Sequence, residues 1–325
     1  MKVLINGLGN IGSTLTALLL RYREVLGIHE ILVVKNRPRP WETRRYAFLE
    51  RQGITILEPK NLRRAGEEVS FIFDTTSNGG ATARKDIYAS FPRLLGAVAQ
   101  GSEGTFGIPF MTGLNDNMVP DHRFFTVVSC NTHGILSVLD HFSGGDMSCV
   151  EDADFVVVRR SEDIGNHERL VSANVIARHR SELGTHHAAD AFLLLKTIGM
   201  ELNLSSSDIT TPAQLMHGLR FNIRFFAAMP SVKETPFVGR TEYFDSNRIF
   251  EIGRRDGFQG RLYQHSILVS NNIIRREKQL FGWAFVPQEG NTILSTLKIF
   301  LLKTRPGDYH RIFETISGEL LSVAL

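Results

Sequence analysis

Cys130 is one of two cysteines in 325 residues, and it stands in "VVSCNTHGIL", where a β-branched run stops at Ser129 and helical spacing begins. A thiol at a helix N-terminus sits in the positive end of the backbone dipole, which favours the thiolate, and a nearby imidazolium lowers its pKa further. Thiolates attack aldehyde carbonyls. Beside a hydride acceptor the adduct can lose hydride and leave a thioester, provided a base takes the hydroxyl proton. The competing reading of Cys130 is a core thiol, and Cys149 shows nothing beyond buried filler. Two cysteines give neither a disulfide framework nor a zinc spacing, which fits a reducing cytoplasm.

A second set of residues suits the acceptor. "NGLGNIG" places Gly7, Gly9 and Gly12 at the spacing of a dinucleotide-binding turn, with Asn10 and Ile11 opening the helix behind it. Gly7 permits the tight turn, Gly9 lets the backbone approach a pyrophosphate, Gly12 allows close helix–strand packing, and the helix N-terminus supplies amide donors. The pattern ends a predicted strand and opens a helix inside a β-α-β unit, which separates it from glycines that merely close a tight turn. Sites for NAD carry an Asp or Glu about 20 residues further on to bind the ribose hydroxyls. Here "VVKNRPRP" offers Lys35, Arg37 and Arg39 and no acid. Those cations suit the 2′-phosphate of NADP; the alternative is a solvated basic loop.

The elements that must position these groups show in the periodicity. "KVLING", "EILVVKN", "GITIL", "VSFIFDTT" and "FFTVVS" read as strands, and "IGSTLTALLLRYREVL" has apolar residues at helical spacing. The expected fold class is α/β, with an N-terminal Rossmann-type parallel sheet. Beyond Gly134, "ADFVVVRR", "LRFNIRFF", "RLYQHSILV" and "QLFGWAFV" predict an α+β catalytic domain with a mostly antiparallel sheet. Apolar residues at 42% and charged residues at 22% describe a folded globule, and a net charge of +3 suits phosphate ligands as well as it suits nucleic acid. No apolar run approaches the roughly 18 residues of a membrane span, and the N-terminus lacks a signal-peptide core. The expectation is a cytoplasmic protein with no membrane or nucleic-acid partner.

The chain resembles glyceraldehyde-3-phosphate dehydrogenases, specifically their archaeal-type (type II) branch. The motifs that carry the resemblance are "NGLGNIG", "VVKNRPRPWE", "FDTTSNGG", "VVSCNTHG", "VVVRR", "THHAAD", "LMHG" and "VPQEGN", with the cysteine motif the most specific. The resemblance implies a reversible, phosphorylating oxidation of glyceraldehyde 3-phosphate to 1,3-bisphosphoglycerate, with NADP or NAD as cofactor and inorganic phosphate as co-substrate. Cys130 takes the nucleophile's place and His217 that of the base, the two meeting only across the domain cleft. Ser129, Asn131 and Thr132 line the substrate pocket. His186 and His187, assisted by Arg160, hold the substrate phosphate. Adjacent histidines on an extended segment point to opposite faces, so no metal is expected there. Gly101 and Gln288 match positions that touch the cofactor. The helix around "TILSTLKIFLL" returns to the nucleotide domain, which gives domains of 1–130 with 300–325 and of 131–299, in a homotetramer.

Some positions depart from the family. His133 stands where a threonine is usual, and brings an imidazole into the first helical turn beside the thiol; Leu219 replaces a second histidine after the base. These departures leave open a related dehydrogenase for another small aldehyde or acyl phosphate, of the aspartate-semialdehyde type. A non-catalytic binding relative is the other alternative, though it has no need of a thiolate–imidazole pair.

Overall fold

Seven short apolar runs build the first sheet. They are β1 (Lys2–Asn6), β2 (Glu30–Val34), β3 (Ile54–Leu57), β4 (Val69–Asp74), β5 (Gly96–Gln100), β6 (Ile108–Phe110) and β7 (Phe124–Val127). Their order is β3-β2-β1-β4-β5-β7-β6, and every pairing is parallel. Parallel strands are covered on both faces, which is why Val3, Leu4 and Ile5 are consecutive and all fully buried. The computed structural model describes residues 1–35, 42–76, 79–101, 103–161, 173–213, 215–242 and 244–323; Arg37 and Arg39 lie outside the described residues.

The chain divides into two compact units, Met1–Val127 with Ser295–Ile316, and Val128–Leu294 with Ser317–Leu325. In the first unit the returning helix docks on the parallel sheet. Phe300 meets Phe71 edge-on at 5.2 Å between ring centroids, and Gln100 Nε2 donates to Thr296 Oγ1 at 2.7 Å.

The second unit carries a mixed sheet of β8 (Val150–Arg160), β9 (Val175–Ile176), β10 (Leu204–Thr211), β11 (His217–Phe225), β12 (Val238–Thr241), β13 (Ser266–Arg275) and β14 (Gln279–Val286). Its order is β12-β13-β14-β11-β8-β10-β9, parallel at β8/β10 and β12/β13 and antiparallel at the other pairings. Buried and less buried residues alternate along β11, as a strand with one covered face requires. The expected α/β class is found, a parallel sheet followed by a mostly antiparallel one. Among the described residues, no helix is long and apolar enough to cross a membrane.

Candidate active site

In the first unit, the turn after β1 is built for an approaching backbone ligand. Gly7 has φ +97°, a conformation that side chains disfavour. A Cβ on Gly12 would lie 2.5 Å from the Gly7 carbonyl oxygen and 2.6 Å from Thr75 Oγ1, while a Cβ on Gly9 would meet nothing within 4 Å. The turn is therefore closed behind and open in front. Beneath it, Asp74 accepts from Asn6 Nδ2 (3.0 Å) and from the Tyr88 hydroxyl (2.6 Å), which burial and Asp74 keep protonated. Thr75 continues from that buried network, its Oγ1 donating to the Gly7 carbonyl at 3.1 Å.

Asn10 and Ile11 begin the helix Asn10–Arg21, which has no side-chain cap and no acidic residue in its first turn. A bound anion would satisfy those end donors. Lys35 follows β2, and its N–H donates to the Leu57 carbonyl at 3.0 Å. Arg45, on the helix Thr43–Arg51, donates to Ser13 Oγ in the first turn of Asn10–Arg21. It brings a guanidinium to the turn that the glycine spacing did not reveal. Gly101 sits just after β5 with φ +72° and open space at its Cβ position.

Cys130 is the first residue of the helix Cys130–Phe142. Ser129 caps it, its Oγ accepting from the Thr132 N–H at 3.2 Å and meeting Thr132 Oγ1 at 2.9 Å. Such a cap contributes about 1 kcal/mol. Ser129 and Thr132 are thus committed to shaping the turn. Gly134 lets the helix press on the sheet, since a Cβ there would lie 2.6 Å from Val286. Asn291, fully buried, donates through Nδ2 to the carbonyls of Cys130 (3.0 Å) and His265 (3.1 Å) and so fixes the cysteine's backbone.

His133 does not serve as a cation beside the thiol. Its Nδ1–H donates to the Ser129 carbonyl at 3.0 Å, its ring meets that of His265 at 4.9 Å, and burial lowers its pKa to about 4.

His217 opens β11 in the same unit as Cys130, so the pair does not depend on the two units meeting. Its Nδ1 accepts from the Arg160 backbone N–H at 3.1 Å. A neutral ring that accepts at Nδ1 carries its proton at Nε2. In this arrangement the imidazole offers a donor at Nε2 rather than a lone pair for a thiol proton. Burial, with Arg160 and Arg159 adding to it, lowers its pKa to about 3. Leu219, two residues on, is core.

The two arginines divide their work. Arg160 Nη2 donates to Glu289 Oε1 at 3.0 Å, and Arg261 also pairs with Glu289; all three side chains are largely buried. Gln288 lines a small cleft with Arg160, Arg261 and Met216. Arg159 is the arginine whose charge reaches His186 and His187, and its Nη1 lies 3.7 Å from Asp208.

His186 and His187 are not on an extended segment. They are the first residues of the helix His186–Thr197, with ring centroids 3.9 Å apart, and with Asp208 they group ligand atoms that all lie within 4.8 Å of one another. The helix starts here because Ser206 of β10 accepts from the Ala188 N–H (3.1 Å) and bonds Thr185 Oγ1 (2.6 Å). Ser206 and Asp208 alternate onto one face of β10. Asn131 links this group to the cysteine, its Nδ2 3.4 Å from His187 Nε2. His187 lies 3.6 Å from Asp208, but burial first, then His186 and Arg159, holds it neutral, so the contact is not an ion pair. Arg45, Arg159, Asp208, Glu289 and Asn291 are the residues that sequence reasoning missed.

No protein-family model matches the chain. It is similar to archaeal proteins named glyceraldehyde-3-phosphate dehydrogenase. That of Metallosphaera sedula is 22% identical over 314 residues, which cover 89% of this chain and 88% of the relative. Those of Sulfurisphaera tokodaii, 26% identical over 234 residues, and Sulfolobus acidocaldarius, 27% over 227, align with 67% of this chain and 64% of their own length.

Proposed function

We propose that the chain is a phosphorylating, NAD(P)-dependent glyceraldehyde-3-phosphate dehydrogenase of the archaeal kind, working through a thioester on Cys130. The observation that carries the reading is Cys130 at the capped start of a buried helix, linked through Asn131 to the His186–His187 pair. The similarity to the archaeal relatives supports the same reaction.

Gly7, Gly9, Asn10, Ile11 and Gly12 would hold the dinucleotide's pyrophosphate, with Lys35 and Arg45 as cations for a 2′-phosphate and Gly101 and Gln288 as further contacts. Arg37 belongs to the same proposal. The nicotinamide, when bound, supplies the hydride acceptor. The residues of the chain do the rest. Cys130, as thiolate, adds to the aldehyde carbon and leaves an alkoxide. The Nε2–H of His217 and backbone N–H groups near Asn131 stabilise that charge, which removes the need for a base at this step. Loss of hydride from the alkoxide gives the thioester, and phosphate then displaces the thiolate to form the acyl phosphate. Arg159, with His186, His187 and Thr132, provides the polar surroundings for the phosphate groups.

The reading includes a cytoplasmic homotetramer. The edge strand β9 supports it, since Val175 and Ile176 are 54% and 77% exposed, apolar surface of the kind a second copy covers. The test is to follow reduced nicotinamide with glyceraldehyde 3-phosphate, with and without inorganic phosphate. Steady turnover that requires phosphate is expected. Equal turnover without phosphate, or on unphosphorylated aldehydes alone, would refute it.

A further inference from the structure

We infer that His186, His187 and Asp208 bind a divalent transition-metal cation of the Zn²⁺ type, through two imidazole nitrogens and one carboxylate oxygen, with a fourth position open to water or substrate. Their ligand atoms lie within 4.8 Å of one another. Ligands about 2.0–2.2 Å from a tetrahedral ion stand about 3.3 Å apart, so modest side-chain rotation closes the set.

A second observation points to a cation. His187 is 2% exposed and Asp208 3%, yet His187 Nδ1 and Asp208 Oδ1 have no hydrogen-bond partner, and neither does Asn131 Oδ1 beside them. Buried polar atoms are nearly always paired. Asp208 Oδ1 and Asn131 Oδ1 have only lone pairs to offer; His187 Nδ1 carries the ring proton while Nε2 accepts from Asn131 Nδ2, and presents a lone pair once that proton moves to Nε2, with Arg159 Nε a further unpartnered donor. A cation answers the two unpartnered oxygens together. Arg159 Nη1, at 3.7 Å from Asp208 Oδ2, is beyond hydrogen-bond reach and leaves Oδ1 unused.

The ligands also stand on fixed elements. Ser206 of β10 caps the helix that carries both histidines and lies two residues before Asp208. A mixed nitrogen and oxygen set suits Zn²⁺ or Co²⁺ better than Ca²⁺ or Mg²⁺, which prefer oxygen alone. A bound cation is compatible with phosphate recognition nearby, and the metal content of the chain reports on this site without turnover, whatever reaction Cys130 carries out.

The experiment uses the untagged full chain, stripped with chelator and dialysed against Zn²⁺, with metal per chain measured by inductively coupled plasma mass spectrometry. One retained equivalent is expected. His187→Ala and Asp208→Asn should each weaken Zn²⁺ binding by more than about 100-fold, beyond the 10–100-fold typical of outer-shell partners. His310→Ala, at an exposed histidine of the other unit, should change nothing. X-ray absorption at the zinc edge reads the ligands in the unsubstituted chain, with imidazole scattering and no sulfur shell expected. No retained zinc, undiminished binding in either variant, or a sulfur shell would overturn the site. So would uptake of inorganic phosphate by the metal-free chain, lost in the same variants, without any uptake of Zn²⁺.

Discussion

The glycine turn of the first unit and the cysteine–histidine cluster of the second are built to receive charge by opposite means. The turn uses main chain: an uncapped helix start, open space at Gly9, and Gly7 and Gly12 fitted against Thr75. The cluster uses side chains taken out of water, with His187, Asp208, His217 and Arg160 all buried. A main-chain site is defined by the Cβ atoms it lacks, and a buried side-chain site by where each proton sits. Added bulk should break the first, and altered protons or charges the second.

The largest effect is expected at the nucleophile. Cys130→Ser should reduce turnover to background and Cys149→Ser should leave it near the wild-type rate, since burial and Asp146 raise the Cys149 thiol pKa. Iodoacetamide mapping checks this independently, and preferential labelling of Cys149 would reverse the assignment. His217→Asn comes next, with a loss of about 10²–10³ in kcat, the range for a lost oxyanion donor, and unchanged dinucleotide affinity. Because the ring is held neutral with a pKa of about 3, the wild-type pH–rate profile should show no limb from it between about pH 5 and 8. A limb in that range that disappears in His217→Asn would restore the role of base.

Two glycine substitutions separate bulk from ligand approach in the turn. Gly12→Ala should cost about 1–3 kcal/mol of stability together with dinucleotide binding, because its methyl meets the Gly7 carbonyl. Gly9→Ala should keep the melting temperature and lose affinity alone. Equal melting losses in both would contradict the description of a turn closed behind and open in front. Replacing Lys35 and Arg45 together with Ala should raise the Kd for NADP by roughly 10–100-fold and barely change that for NAD, as measured by titration calorimetry. Equal losses for both dinucleotides would mark these cations as solvated surface.

The smallest effect on activity concerns His133, whose influence lies in stability. Its pKa is lowered from 6.5 to about 4 in the folded chain by burial. The unfolded chain therefore takes up this proton first on acidification. The contribution is fully present above about pH 6.5 and is lost as the pH falls from there towards 4, by about 3 kcal/mol in all. His133→Asn should flatten the fall in melting temperature over that window. An unchanged slope would mean that the ring titrates normally.

The same contrast explains what the sequence disclosed. The β1–turn–helix unit and Cys130 at a strand-to-helix junction are local, so spacing alone located them. The helical start at His186 was also signalled, by Thr185 ahead of a periodic apolar run, a cue weaker than the extended reading it should have displaced. Asp208 could not be found that way, because it reaches the histidines only through the docking of their helix on β10, which the Ser206 contacts fix. The tautomer of His217 depends on the N–H of Arg160 in another strand, and the choice between Arg159 and Arg160 depends on Glu289. Such contacts are set by register and burial, which no local pattern records.

Trapping the acyl intermediate decides whether Cys130 is the nucleophile. The chain is mixed with glyceraldehyde 3-phosphate and NADP without inorganic phosphate, quenched in acid and analysed by peptide mass spectrometry. One equivalent of reduced nicotinamide should form in a burst, with the acyl group on the peptide that contains Cys130, and added phosphate should discharge it. A burst with Cys130 unmodified, or acylation confined to Cys149, would contradict the account.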